Sequence, residues 1–281
     1  MAKARLYVMD CGTLWVERGF MWHFGTREDT GKEYEPQPFG IASSMYFIDH
    51  PEAKIVFDLG FRKEDFERRP SFPGRKGPRG STFEQSPEQN PEVQLRKIGV
   101  GIDDIDYVVL SHLMSEHAGW LPLFQKKKAQ IIVQVRELEY AYSNLNRRSS
   151  LTPFHSWMYI REHFDSRDLN LRMIEGDFML AEDVEIIFTP GHTPGYQMMM
   201  LRLEETGTIV LSSCEHRGMY YGVGVNAQAP GIPHAFSYSL GDELRNFRKI
   251  LDIVRRERGQ LFCGHDLEQF QELKRLPDYY A

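Results

Sequence analysis

The sequence is poor in cysteine and contains no long apolar run. Its three cysteines are Cys11, Cys214 and Cys263. An odd and sparse count excludes the disulfide framework of a small secreted protein. The opening residues, MAKARLYVMDCGTLWVERGF, contain no apolar stretch of the length that a signal peptide or a membrane span requires. We therefore expect a cytoplasmic protein with no membrane partner.

A surplus of basic residues is also absent. Lys and Arg together number 34 and Asp and Glu number 40, so the formal net charge is −6. A phosphate backbone selects a basic surface, so this balance argues against a nucleic-acid partner and leaves a small molecule as the expected one. The 281 residues are enough to bury a sizeable core without disulfides.

Short apolar segments rich in β-branched and aromatic residues alternate with segments of helical periodicity, which predicts an α/β fold. Helices are predicted at Pro91–Gly99, Arg136–Asn146 and Leu240–Arg258. The predicted strands are Arg5–Met9, Met45–Ile48, Lys54–Phe57, Tyr107–Leu110, Gln130–Val135, Val184–Phe188, Gln197–Leu203 and Thr208–Ser212.

Two segments stand apart within what we expect to be a single domain over residues 1–281. Residues 70–90 are dense in Pro, Gly, Ser and charge, which indicates an exposed loop. Residues 136–176 are mostly helical and aromatic, and they are either a cap-like insertion over a site or an ordinary helical layer packed on a sheet.

The segment Val109–Trp120 carries the first candidate ligands. An apolar strand runs to Leu110, and His112, Glu116 and His117 follow at once. Imidazole nitrogens and carboxylate oxygens are ligands of zinc, iron and manganese. Two histidines five residues apart are weak evidence taken alone, because such a pair is more often structural.

Further strand ends strengthen the metal hypothesis. His192 lies between two Pro-Gly turns, which fix a rigid loop. The predicted strand Thr208–Ser212 leads to Cys214, and the segment from Leu261 is again a predicted strand, which ends at His265. Ligands in an α/β protein gather outside the ends of strands, so these side chains are expected to meet.

The order of these motifs resembles the metallo-β-lactamase superfamily, and within it the N-acyl-homoserine lactone lactonase-like hydrolases. SHLMSEHAG at 111–119 is followed by TPGHTPG at 189–195, by a strand ending in a thiol, and by GHD at 264–266. TPGHTPG is the most specific part of a resemblance that extends over nearly the whole chain. It implies a four-layer αβ/βα sandwich with a metal centre at one edge, between two sheets.

The first motif departs from the family pattern H-x-H-x-D-H. His112 and His117 match it, whereas Met114 replaces a histidine and Glu116 replaces an aspartate. A thioether is a weak zinc ligand, so Met114 is expected to pack in the pocket, and one metal is expected to be better occupied than the other. Glu116 is either a ligand or the general base.

The resemblance assigns roles to the later motifs as well. Cys214 stands about where lactonases place a bridging aspartate, and Arg217 stands near a tyrosine that polarises the substrate. Arg217 is therefore a candidate for binding the oxyanion or an anionic part of the substrate. The expected metal ligands are His112, Glu116, His117, His192, Cys214 and His265.

The reaction implied is hydrolysis of a small cyclic ester, or of a related ester or amide, by metal-activated water. Zinc is the expected metal, as one or two ions, with iron or manganese as alternatives. A single iron would instead favour redox or oxygen chemistry on a small, aromatic substrate, and a decayed site would leave only a binding module. The resemblance also suggests a homodimer.

Overall fold

Two β-sheets pack face to face because their long strands carry apolar side chains on both faces. The computed structural model describes residues 3–17, 38–68, 81–146, 158–222, 231, 233–234 and 236–281. Within these ranges the strands are β1 (Arg5–Glu17), β2 (Pro38–Asp49), β3 (Lys54–Phe57), β4 (Thr82–Glu84), β5 (Tyr107–Val109), β6 (Gln130–Gln134), β7 (Leu171–Ile174), β8 (Phe178–Ala181), β9 (Val184–Phe188), β10 (Gln197–Leu203), β11 (Gly207–Ser212) and β12 (Gln260–Cys263).

The order of the strands brings several chain segments to one edge of the molecule. The first sheet has the order β4-β1-β2-β3-β5-β6-β7, and the second has the order β12-β11-β10-β9-β8. Strands β3, β5 and β6 run parallel to one another, as do β11 and β12. Because parallel strands end at the same edge of a sheet, the segments that follow them lie side by side.

Alternation along each strand divides the core into two apolar clusters. Val8 on the first sheet and Leu211 on the second belong to the cluster between the sheets. Their sequence neighbours Tyr7 and Val210 face the opposite way, into a cluster shared with the helices. Helices therefore cover the outer faces, and the predicted four-layer α/β arrangement is confirmed.

Three of the described α-helices begin after a residue whose side chain accepts a hydrogen bond from the first turn, namely Asn90, Ser239 and Asp266. In the α-helix at 240–257, the side chain of Ser239 accepts from the backbone N–H of Asp242, and the helix ends at Arg258 in the left-handed conformation. The described α-helices are α1 (Lys63–Glu67), α2 (Pro91–Lys97), α3 (Ser115–Ala118), α4 (Val135–Asn146), α5 (Arg161–Phe164), α6 (Arg217–Tyr221), α7 (Leu240–Glu257) and α8 (Leu267–Glu272). Short 3-10 helices lie at Pro87–Gln89, Ile102–Asp104 and Leu121–Phe124.

The predicted elements are present, and the structure extends or adds others. The three predicted helices correspond to α2, α4 and α7, and β3, β9 and β10 have the predicted bounds. The strands β4, β7 and β8 were not predicted. Each has three or four residues and lies at the edge of a sheet, where partial exposure weakens the apolar pattern.

The two segments set apart in the sequence contain regular structure. Residues 70–80 of the segment at 70–90 lie outside the described residues, whereas Thr82–Glu84 pair with β1 and bury Phe83. The segment at 136–176 contains α4 and α5, and its end, β7, belongs to the first sheet. Among the described residues, no helix has both the length and the apolar character that crossing a membrane requires.

Candidate metal centre

Five buried side chains with nitrogen or sulfur donors meet at one edge of the two sheets. His112 follows β5, His117 lies in α3, His192 joins β9 to β10, and Cys214 and His265 follow β11 and β12. In the described part of the chain, their donor atoms form two triads, His112–His192–Cys214 and His117–Cys214–His265. Within each triad the three donor atoms lie within 4.8 Å of one another.

The thiol of Cys214 belongs to both triads. Its Sγ atom lies 3.7 Å from Nε2 of His112 and 3.3 Å from Nε2 of His117. The two imidazole rings lie with their centroids 4.4 Å apart. The sulfur atom of Cys214 therefore lies between two histidine pairs, His112 with His192 and His117 with His265.

Asp58, at the end of β3, orients the histidines of the first motif. Its Oδ2 atom lies 2.9 Å from Nδ1 of His117, and it also accepts hydrogen bonds from the hydroxyl groups of Ser111 and Ser213. The Ser111 hydroxyl lies 2.9 Å from Nδ1 of His112. Because the Nδ1 atoms of His112 and His117 are held by Ser111 and Asp58, the Nε2 atoms of both rings are directed toward Cys214.

Glu137 at the start of α4 ties the loop of His192 to the loop of His112. Its carboxylate accepts from Thr193 Oγ1 at 2.6 Å and from the backbone N–H of Leu113 at 3.0 Å. Gly195 packs so closely on the Glu137 backbone that a Cβ atom there would overlap it. The TPGHTPG loop is therefore rigid because its second turn is seated on α4.

Glu116 contributes a buried carboxylate beside the histidines. One of its oxygens forms a third donor triad with His112 and His117, again within 4.8 Å. Its buried Oε2 atom has no hydrogen-bond partner among the described residues. Burial raises the pKa of Glu116, although the neighbouring His117 opposes the rise. A buried carboxylate oxygen without a partner is suited to bind a cation or to accept a proton.

The surroundings of the imidazoles set their protonation. Burial, followed by the charge of neighbouring His117, lowers the pKa of His265 well below its ordinary value. Nδ1 of His265 lies 2.9 Å from the carbonyl oxygen of Ala42, to which it donates, so Nε2 carries the lone pair. Burial also acts to lower the pKa of His117, but the carboxylate of Asp58 outweighs this and raises it.

The donor set fits a divalent metal ion. Imidazole nitrogens, a cysteine sulfur and a carboxylate oxygen are the ligands that zinc and similar ions use. The Nδ1 atoms of His117 and His265 are already held by acceptors, which is the arrangement found around ligating histidines. Met114 is fully buried and belongs to the apolar core cluster.

Arg217 lies apart from this cluster. Its guanidinium binds Asp266 at 3.2 Å and Glu272 at 2.8 Å, and its backbone N–H donates to Asp266. These bonds join the turn after Cys214 to the turn after His265. Arg217 does not line the cavity formed by the described residues.

A narrow apolar cavity leads to the donor cluster. Its apolar wall comes mainly from strands β1 and β2, from β4 and from the segment after β3, so β4 contributes to the site although it was predicted as loop. The lining residues are Leu14, Val16, Ile41, Ala42, Ser43, Phe61, Phe83, Glu116, Met158, His192, Cys214, His234, Phe236 and His265.

Several residues of the site were missed by sequence reasoning. Tyr196 accepts hydrogen bonds at its hydroxyl oxygen from the backbone N–H groups of Ser213 and Cys214, both at 2.9 Å. His234 lies outside the sequence motifs, and it is fully buried and lines the cavity. No local pattern marks either residue, because their roles depend on contacts across the sheet and between distant loops.

The family match covers the first part of this site. Residues 39–211 match the metallo-beta-lactamase superfamily. The chain belongs to this superfamily, which confirms the predicted family and its αβ/βα sandwich. The matched region contains His112, Glu116, His117 and His192, whereas Cys214 and His265 follow it.

Two N-acyl homoserine lactonases are similar to all or most of the chain. The N-acyl homoserine lactonase AttM of Azorhizobium caulinodans is 28% identical over 291 residues, with 100% of both chains covered. The N-acyl homoserine lactonase AiiA of Bacillus thuringiensis subsp. kurstaki is 27% identical over 235 residues, covering 83% of this chain and 85% of its own. These likenesses support the predicted lactonase-like hydrolase and favour neither the redox alternative nor the decayed site.

Solved structures share the fold. An N-acyl homoserine lactone hydrolase with N-hexanoyl-L-homoserine bound at its catalytic metal centre superposes with a TM-score of 0.76 at 22% identity, and all of both chains is covered. AidC, a dizinc quorum-quenching lactonase, superposes with a TM-score of 0.61 at 14% identity, covering 99% of this chain and 90% of its own. At these identities the likeness establishes the fold.

Proposed function

We propose that this chain is a zinc-dependent hydrolase that opens the ring of an N-acyl homoserine lactone or a related lactone. The observation that carries the proposal is the meeting of His112, His117, His192 and His265 around the Cys214 thiol at the end of a cavity. Names of the relatives supply the substrate class, since those proteins are N-acyl homoserine lactonases.

Two overlapping donor sets would hold the metal. His112 and His192 with Cys214 form one set, and His117 and His265 with Cys214 form the other. A divalent ion bound there lowers the pKa of a water molecule and polarises the carbonyl group of the substrate. The protein keeps the donors in place through Asp58, so little reorganisation is needed when substrate binds.

Glu116 is the proposed general base. Its Oε2 atom is buried beside His112 and His117 and accepts no hydrogen bond from the described residues. It would take a proton from the attacking water as the new carbon–oxygen bond forms. The ring carbon–oxygen bond then breaks, and the same carboxyl group returns the proton to the leaving alkoxide. The products are a carboxylic acid and an alcohol in one open chain.

The apolar wall of the cavity suits the acyl part of such a substrate. Leu14, Ile41, Phe61 and Phe83 are all buried and line it. A lactone that carries an apolar chain would gain about 0.8 kcal/mol for each methylene group buried there. We therefore expect KM to fall as the acyl chain lengthens, until the cavity is filled.

The test uses purified full-length protein, with ring opening followed by proton release. The panel contains N-acyl homoserine lactones of increasing acyl length, simple γ- and δ-lactones, and an open-chain ester. We expect turnover of the acyl homoserine lactones and bound zinc in elemental analysis. Dialysis against a strong chelator should remove activity, and added zinc should restore it.

Two results would contradict the proposal. Full turnover by metal-free protein would show that the reaction does not require a metal ion. Copurified iron, with oxygen consumption in place of ring opening, would support the redox alternative. The predicted homodimer stays a prediction, which size-exclusion chromatography with light scattering tests.

A further inference from the structure

The peptide groups around Cys214 are held from both sides by side chains of other segments. Its backbone N–H donates to the hydroxyl oxygen of Tyr196 at 2.9 Å, and its carbonyl oxygen lies 2.9 Å from Nε2 of His234. A carbonyl oxygen only accepts hydrogen bonds, so Nε2 of His234 carries the hydrogen and donates it. The backbone of Cys214 is thus fixed by two directed bonds at the residue whose thiol belongs to both donor triads.

The ring of His234 is itself fixed. Its Nδ1 atom lies 3.1 Å from Oε1 of Glu243 in α7, and its ring stacks on Phe236 with centroids 5.3 Å apart. His234, Glu243 and Cys214 are all buried. A histidine held in this way by a carboxylate and an aromatic ring has one orientation, so it transmits a defined position to the carbonyl group it binds.

The same segment also holds the loop of His192. The backbone N–H of Tyr238 donates to the carbonyl oxygen of His192 at 3.0 Å, and the N–H of Ser239 donates to that of Gly191 at 2.9 Å. The rings of His192 and His234 lie 5.2 Å apart, centroid to centroid. The chain from His234 into α7 therefore braces two of the three donors of the first triad, although it lies outside the sequence motifs.

We infer that His234 is a positioning residue for the metal centre, whose hydrogen bond to the Cys214 carbonyl holds the thiol between the two histidine pairs so that Cys214 binds metal as a thiolate. This inference rests on the proposed function, because it requires that the cluster binds a metal ion. It adds His234, which lies outside the ligand motifs, to the residues that shape the metal centre. His234 acts on the metal only through Cys214.

Reconstitution with cobalt(II) tests the inference without reference to turnover. Cobalt bound by a thiolate gives a sulfur-to-metal charge-transfer band in the near ultraviolet. We expect this band in the natural protein. His234→Leu should lose most of the band and bind cobalt about 10- to 100-fold more weakly, the usual cost of removing an outer partner of a metal ligand. His234→Gln keeps an N–H in the place of Nε2 and should retain the band, with affinity within about threefold.

His50→Leu is the matched control. Nε2 of the buried His50 lies 2.9 Å from the carbonyl oxygen of Glu182, so this variant also loses a hydrogen bond from a histidine ring to a carbonyl oxygen. His50 follows the last residue of β2, whereas the cavity is lined by residues 41–43 near the start of that strand. It should lower the melting temperature and leave the cobalt band unchanged. Circular dichroism of each variant confirms that it is folded before cobalt is added.

The outcomes separate this inference from the proposed function. An unchanged band and affinity in folded His234→Leu would overturn the role of His234 and leave the proposed function standing. Cobalt bound by the natural protein without a thiolate band would overturn it as well, because Cys214 would then not be a ligand. A natural protein that binds neither zinc nor cobalt would overturn the proposed function and this inference together.

Discussion

Nδ1 of His117 lies 2.9 Å from Oδ2 of Asp58, and both side chains are buried. Asp58 follows β3, and His117 lies in α3, which comes after β5 in the chain. The bond therefore joins the segments that follow two neighbouring parallel strands, β3 and β5. The same carboxylate reaches His112 through the hydroxyl group of Ser111. One acid therefore orients histidines of both donor triads, which makes it the most informative site for mutation outside the ligands.

Replacing Asp58 with alanine should weaken zinc binding about 10- to 100-fold, because His117 loses the acceptor of its Nδ1 and the Ser111 hydroxyl that holds His112 loses its own acceptor. Competition with a chelating dye measures the change in Kd. Asp106→Ala is the control, since Asp106 is a partly exposed carboxylate that pairs with Lys128 near the other end of β5. A zinc Kd for Asp58→Ala within twofold of that of the natural protein would rule out this role.

Replacing Glu116 with glutamine separates its two possible roles. If Glu116 is the general base, kcat should fall about 10²- to 10⁴-fold while zinc content stays the same. Glutamine keeps the shape of the side chain and removes its ability to accept the proton. Zinc loss as large as that of His117→Ala would instead identify Glu116 as a ligand.

Replacing Gly195 with alanine should damage the TPGHTPG loop. The added Cβ atom would overlap the backbone of Glu137, which cannot move without shifting α4. We expect a loss of about 1–3 kcal/mol in the free energy of unfolding, typical of overpacking, together with weaker zinc binding through His192.

Gly241→Ala provides the comparison for that variant. A Cβ atom at Gly241, in the first turn of α7, would meet Arg245 at an ordinary 3.6 Å. Its free energy of unfolding should be unchanged or slightly higher, because alanine favours helix. Denaturant unfolding measures both variants, and equal stabilities would contradict the proposed overlap.

Asp65 should give a pH-dependent contribution to stability away from the metal centre. Burial acts to raise the pKa of Asp65, but hydrogen bonds from His163 and Arg62 outweigh it and bring the pKa well below its ordinary value of 3.8. A lowered folded-state pKa stabilises the fold above the ordinary value, and this stabilisation is lost as the pH falls through the folded-state value.

Asp65→Asn should therefore cost about 2 kcal/mol near neutral pH, in line with hydrogen bonds to a charged group. The difference from the natural protein should shrink below about pH 4, where the carboxylate of the unfolded chain takes up a proton. Urea unfolding at several pH values measures it. Asp168→Asn, which removes an exposed pair with Lys126, should change little at any pH. A difference for Asp65→Asn that grows toward low pH would contradict the sign of this effect.

The ligand segments could be read from the sequence because each one follows an apolar strand directly. His112 and His192 follow strands whose observed bounds are nearly the predicted ones. The glycine and proline residues around His192 set the local geometry of its loop, and they can be recognised in the sequence. The edge strands β4, β7 and β8 escaped prediction because half-exposed segments carry little apolar pattern. Phe83 of β4 shows the consequence, since it lines the cavity from a segment that reads as loop.

Local composition thus specified the α/β class, the main strands and the histidines that end them, because strand periodicity and turn residues act over a few positions. Three features of the site depend on how the two sheets pack together. They are the position of Cys214 between two histidine pairs, the bonds of Arg217 to Asp266 and Glu272, and the burial of His234 against Glu243. Each of these contacts joins residues of different segments. Their geometry depends on strand order and on how loops meet across the sheet edge, which no short stretch of sequence encodes.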